Sequence, residues 1–117
     1  MRKEIENRLI KLSVDVIRFV SSLPNSMLNN TLSDQLIRST TSAALNYGEA
    51  QAAESKNDFI HKTSVVLKEL RESSIALKIF MAANSVKNSN NLPELIDECN
   101  QLTAIFQKTV TTARSKN

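Results

Sequence analysis

The chain has 117 residues, 41% of them apolar and 23% charged, with one glycine, two prolines and one cysteine. That length suits one domain spanning residues 1–117, and so little glycine and proline excludes a turn-rich β fold or a disordered chain. The net charge of +3 and the pI near 9.2 permit contact with phosphates without requiring it.

The first segment carries Ile5, Leu9, Leu12, Val16, Phe19 and Leu23 at alternating spacings of four and three, the pattern of a helix seated on other helices. Pro24 ends it, because the residue before a proline is pushed out of helical space. Ser26, Asn29 and Asn30 read as connector, and Thr31 to Asp34 offer caps for a second helix with Leu36, Thr40, Ala43, Tyr47 and Ala50 inward. Gly48 falls inside this helix, where close approach of a neighbouring helix is its expected use. Ser55 to Asp58 resembles a capping box opening a long helix from about Lys56 to about Asn84, with Phe59, Thr63, Val66, Leu70, Ser74, Leu77 and Met81 as its core face. Val86 to Asn91 is an asparagine-rich turn. A fourth helix follows, with Pro93 near its start and Leu92, Leu95, Cys99, Leu102, Phe106 and Ala113 inward. Arg114 to Asn117 reads as a frayed basic tail. Four helices with short connectors predict an all-α, antiparallel, up-down-up-down four-helix bundle.

Some apolar side chains do not fit one bundle. Ile75 and Ile79 point away from the stripe of Leu70, Leu77 and Met81, and Ile37 and Ala44 lie off the core face of the second helix. A helix apolar nearly all round asks to be buried nearly all round, so these four residues are expected at a subunit interface.

Chemistry-bearing residues are few. His61 with Asp58 makes one acid-x-x-His pair, whereas carboxylate-bridged metal bundles need two such pairs and further glutamates. Cys99 sits at a core position, cannot form an internal disulfide, and has no local signature of a nucleophile. No phosphate loop, zinc-ligand spacing or nucleophile elbow is present. No stretch approaches the ~20 apolar residues of a membrane span. The expectation is therefore a cytoplasmic protein without membrane contact, cofactor, metal or catalysis.

Two polar groups stand out. Gln35, Arg38, Ser42, Asn46 and Glu49 line one face of the second helix, and Glu69 and Glu72 flank the third. Together they predict a structural network in which Arg38 pairs with Glu69 or Glu72, the functional alternative being a polar cleft. Arg8, Lys11 and Arg18 share one face of the first helix, and Lys68, Arg71 and Lys78 a solvent side of the third. Repeated around an oligomer axis, these six would form candidate nucleic-acid contacts. The absence of tryptophan and the single tyrosine point to phosphate-led binding rather than base stacking.

The run Gln35 to Ser39, Ser42 and Asn46 to Ala50 on the second helix resembles one bacterial family. So do Ser55 to Lys62, then Lys68-Glu69, Glu72 and Leu77, and finally Glu98 to Leu102 with Ile105-Phe106. The chain is similar, from about Leu23 to about Arg114, to the four-helix bundle proteins encoded in intervening sequences of 23S rRNA genes. The accessory proteins of diversity-generating retroelements are relatives of that family. Ile75-Ala76 stands where many relatives carry an aromatic pair, and Gly48 where a bulkier residue is common. The resemblance implies a ring-shaped homopentamer, with RNA, DNA, a reverse-transcriptase-like protein or a ribosomal component as possible partners, and no catalytic residues. The functional expectation is a homo-oligomeric scaffold binding nucleic acid or a ribonucleoprotein through basic surfaces. The alternatives are an accessory subunit whose partner is a protein, without nucleic acid, and an enzyme using the polar face of the second helix.

Overall fold

The computed structural model describes residues 2–83 and 91–116. They form four helices, α1 (Arg2–Ser21), α2 (Met27–Gln51), α3 (Lys56–Ala82) and α4 (Leu92–Ser115), and no strand occurs among the described residues. Each helix packs on its neighbour in sequence, and α1 closes the ring against α4. The pairs α1–α3 and α2–α4 lie across the diagonals, where the backbones stay apart and aromatic side chains meet through the core. The result is the expected all-α four-helix bundle, elongated to 49 × 23 × 19 Å.

The buried stripes explain why the chain closes this way. Leu9, Leu12 and Val16 of α1, Leu36 and Ala43 of α2, Val66, Leu70 and Leu77 of α3, and Cys99, Leu102 and Phe106 of α4 meet in one core with almost no exposure. Each fully buried aliphatic side chain contributes ~1.5–3 kcal/mol by leaving water. Edge-to-face aromatic pairs close both ends: Phe19 on Phe80 at 5.4 Å, and Tyr47 on Phe106 at 5.3 Å. Small residues let α2 and α3 approach closely. There the buried hydroxyls of Ser39 and Ser73 meet at 2.6 Å, and Ser73 also bonds the Glu69 carbonyl at 2.8 Å. These two buried hydroxyls are thus satisfied at the seam. Between α3 and α4, Ser74 donates to the Asn100 side chain at 2.8 Å, and the Cys99 thiol reaches the Leu70 carbonyl.

Several sequence expectations are corrected. The cap of α2 is Ser26, whose Oγ accepts from the Asn29 amide at 2.9 Å, so the helix begins at Met27 and the supposed connector is its first turn. Ser55 caps α3 as anticipated, accepting from the Asp58 amide. On α3 the buried positions Thr63, Val66, Leu70, Ser73, Leu77 and Phe80 alternate three and four without a break. That 3.5-residue period slides around a straight helix, so Phe80 is buried while Met81 is 46% exposed and Phe59 only half-buried. On α4, Val110 is the buried residue of the last turns and Ala113 is half-buried. The helix runs through Arg114 and Ser115 rather than fraying, and Arg114 reaches the Ser64 hydroxyl at 3.3 Å. The turn expected over Val86–Asn91 lies, apart from Asn91, outside the described residues.

Gly48 does not serve close helix approach. It is exposed, and a Cβ added there would meet nothing within 4 Å. Its effect is the backbone entropy it adds to the unfolded chain. Gly48→Ala is therefore expected to stabilise the fold by ~1 kcal/mol, read as a higher urea midpoint at an unchanged slope. A lowered midpoint would show that the glycine is needed where it stands.

Candidate nucleic-acid and self-association surfaces

The six candidate cations do not converge. Arg8 turns its guanidinium onto Glu98 of α4, with Nε donating at 2.9 Å and Nη2 at 2.7 Å to the two carboxylate oxygens, and Nη2 also reaching Gln101 at 3.2 Å. This two-pronged pair joins α1 to α4 along the side where those helices pack. Lys11 meets Asp15 at 2.6 Å and Lys68 meets Glu72 at 3.8 Å, each one turn along its own helix. Arg71 crosses from α3 to Gln107 of α4. Arg18 and Lys78 are exposed, and neither has a carboxylate partner among the described residues. Three of the six cations are thus already matched by a carboxylate inside the protomer.

The polar network also differs from expectation. Arg38 is exposed and pairs with neither Glu69 nor Glu72. It lies on the outward side of α2, so burial does not force a partner on it. Gln35 is exposed as well. Asn46 bonds back to Ser42 on its own helix, at 2.9 Å to the carbonyl and 3.1 Å to the hydroxyl. Glu49 takes Lys62 of α3 at 2.6 Å, and both the contact and the charge raise the lysine's pKa. The links between α2 and α3 are Ser39–Ser73 and Glu49–Lys62, and Arg8–Glu98 ties α1 to α4. None of these links is the expected pairing of Arg38 with Glu69 or Glu72.

The apolar surplus is real and larger than expected. Ile75 is 57% exposed and Ile79 42%, on the outward face of α3. Ile37 and Ala44, by contrast, pack against the protomer's own core and are half-buried. A second outward stripe went unread in the sequence: Ile10, Val14 and Ile17 of α1, spaced four and three and each at least 39% exposed. The same spacing signal would have found it, but the stronger stripe of Leu9, Leu12 and Val16 beside it dominates the pattern. Since α1 and α3 are diagonal, the two apolar faces lie on opposite sides of the bundle. A shallow groove of about 350 Å³ beside Ile75 and Ile79, between α2 and α3, has Leu32 and Ala76 in its wall.

The surface carries two larger depressions of opposite charge. One, of about 750 Å³ between α1 and α4, is lined by Asp15, Glu94, Asp97 and Glu98 against Lys11 alone. The other, of about 700 Å³ between the start of α3 and the end of α4, has Lys56, Lys108 and Lys116 on its rim and no carboxylate in its lining.

Nothing among these groups resembles an activated nucleophile. Cys99 is fully buried, and burial pushes its thiol up to about 12. His61 is exposed. No group of three or more metal-ligating side chains gathers among the described residues, and no described helix is long and apolar enough to cross a membrane.

Two outcomes follow from this geometry. A double-mutant cycle of Arg8→Met with Glu98→Gln is expected to show a coupling of about 1 kcal/mol that shrinks as salt rises, because the pair is part-exposed. A coupling of zero would mean the pair does not tie α1 to α4. Cys99 is expected to resist a thiol reagent at pH 8 in the native protein and to react at once in denaturant. Because its folded pKa is raised, the stabilisation tied to the protonated thiol is complete below pH about 9 and declines as pH climbs toward about 12.

A solved structure similar to this chain is that of a protein of unknown function from the S23 ribosomal protein family of Bacteroides thetaiotaomicron. The two share 21% identity and superpose with a TM-score of 0.83, over 95% of this chain and 99% of the other. At that identity the likeness shows the fold alone. No curated protein matches the chain. The model of the 23S rRNA-intervening sequence proteins matches residues 2–108, most of the molecule. With the four-helix bundle and the sequence pattern in agreement, this chain belongs to the 23S rRNA-intervening sequence protein family.

Proposed function

We propose that this protein is a non-catalytic scaffold in the cytoplasm that assembles from identical copies and, as an assembly, holds nucleic acid or a ribonucleoprotein. The observation that carries it is the pair of outward apolar faces, Ile10-Val14-Ile17 on α1 and Ile75-Ile79 on α3. Exposed apolar side chains gathered on a small soluble bundle mark places where another protein sits. Two unlike faces on opposite sides of one protomer suit head-to-tail contacts, and such contacts make a closed ring when the rotation between copies is right. Five copies is the number that the family resemblance implies. The net charge of +3 multiplies with the number of copies, which raises the field available to phosphates. The family's name ties its members to 23S rRNA, and the structural neighbour is from the S23 ribosomal protein family. Both support RNA as the first ligand to test. Within this reading Arg18 and Lys78, without a carboxylate partner among the described residues, are better contacts than Arg8, Lys11 or Lys68, and Arg71 stands between.

A protein partner without nucleic acid is favoured by one observation, the internal neutralisation of Arg8, Lys11 and Lys68. A salt titration separates the two. With nucleic acid as ligand, affinity for RNA should fall at least about tenfold between roughly 50 and 200 mM salt, because phosphate contacts release counterions. No RNA binding even at the lowest salt would leave the protein-partner alternative. For the assembly itself, Ile75→Lys with Ile79→Lys should yield a helical monomer, because both side chains are exposed in the protomer and contribute little to its core. A double variant that keeps the mass of the unaltered protein would remove α3 from the interface.

A further inference from the structure

We infer that the cleft between the start of α3 and the end of α4 receives a nucleotide of single-stranded RNA, its phosphate on Lys56, Lys108 and Lys116 and its base on the apolar floor. The inference rests on the proposed nucleic-acid function and gives it a location. The cleft holds about 700 Å³, within the usual range for small-ligand sites of ~300–1,000 Å³. Its floor is Phe59, Ile105 and Ala113, and its rim is the three lysines. None of the three has an ion-pair partner among the described residues, whereas Lys3, Arg8, Lys11, Lys62 and Lys68 each meet a carboxylate.

The positions of these lysines add to the case. Lys56 opens α3, where the helix dipole and the free amides already gather positive potential and a cation is unfavourable without a counter-charge. Asp58 in the same turn offsets part of this but does not line the cleft. Lys108 lies on the last turns of α4 and Lys116 is the extended residue just past its end, and both line the same opening. The depression presents three ammonium groups and no carboxylate in its lining, so an anion seated there meets only positive side chains. The depression between α1 and α4 is of similar size, but its four carboxylates would repel a phosphate.

A phosphate alone would not use Phe59, Ile105 and Ala113, and an apolar ligand alone would not use the lysines. A nucleotide uses both. A single half-buried phenylalanine on the floor suits one base rather than a stacked run. A continuous duplex, with its bases paired inside, cannot place a base there.

The test is fluorescence anisotropy with a labelled ten-nucleotide single-stranded RNA, against the unaltered protein, Lys56→Glu with Lys108→Glu, Lys108→Glu alone, and Arg38→Glu. Arg38 is an exposed cation on α2 away from the cleft, so Arg38→Glu makes the same charge change as Lys108→Glu. The double variant should bind at least about tenfold more weakly, with a shallower salt dependence, since each lost phosphate contact removes ~0.7 from the slope for a single strand. Lys108→Glu should weaken binding clearly more than Arg38→Glu, and inorganic polyphosphate should compete less well than RNA of equal charge. If the unaltered protein binds RNA but the cleft variants bind equally well, or no worse than Arg38→Glu, the cleft is not the site and the broader function stands. Equal competition by polyphosphate would overturn the role of the apolar floor. Failure of the unaltered protein to bind RNA would overturn both readings.

Discussion

One constraint governs this molecule: each helix has a narrow stripe of side chains spaced three and four residues apart, and all four stripes must be covered at once. Closing four such stripes on one another consumes Leu9, Leu12 and Val16, Leu36, Val66, Leu70, Leu77, Leu102 and Phe106 almost to zero exposure. The unbroken three-four alternation on α3 selects the slight left-handed winding of long bundles and carries burial from Thr63 to Phe80. Once the interior is filled, no further apolar side chain can enter it. Ile10, Val14, Ile17, Ile75 and Ile79 are left outside for that reason, and under the proposed self-association they are the side chains another copy would cover.

The same closure decides the polar chemistry. Packing α1 against α4 brings Arg8 to Glu98, and packing α2 against α3 brings Glu49 to Lys62 and Ser39 to Ser73. Cations near the helix seams are therefore neutralised inside the protomer. Lys56, Lys108 and Lys116, where α3 begins and α4 finishes, have no ion-pair partner among the described residues, and the antiparallel return of α4 brings them to one opening. Burial acts on Cys99 in the opposite sense, keeping its thiol protonated and hydrogen-bonded to the Leu70 carbonyl. The single histidine, His61, stays exposed on α3.

Much of the architecture was legible in the sequence because the stripes are regular: α1 and α4 were read nearly residue by residue. The register of α3 was misread at its end because Phe80 and Met81 are both apolar, and only the full seven-residue period tells which turns inward. The start of α2 was placed too late because Ser26 follows Pro24 closely enough to look like connector, when the pair is a helix stop followed by a helix cap. The network around Arg38 failed because spacing along one helix fixes a face but not the partner across the seam. Lys56, Lys108 and Lys116 were not legible as a group. They lie about fifty residues apart in two helices, and only the antiparallel return of α4 along α3 brings them to one cleft.

The proposed self-association rests on the two opposed apolar faces, Ile10-Val14-Ile17 on α1 and Ile75-Ile79 on α3. Sedimentation equilibrium on the unaltered protein at tens of micromolar tests it most directly. The expected result is a single species at an integral multiple of the 13.0 kDa protomer mass, five-fold for the ring that the family resemblance implies. A single ideal species at 13.0 kDa would contradict the account, leaving Ile75, Ile79 and the α1 stripe as exposed side chains without a partner copy.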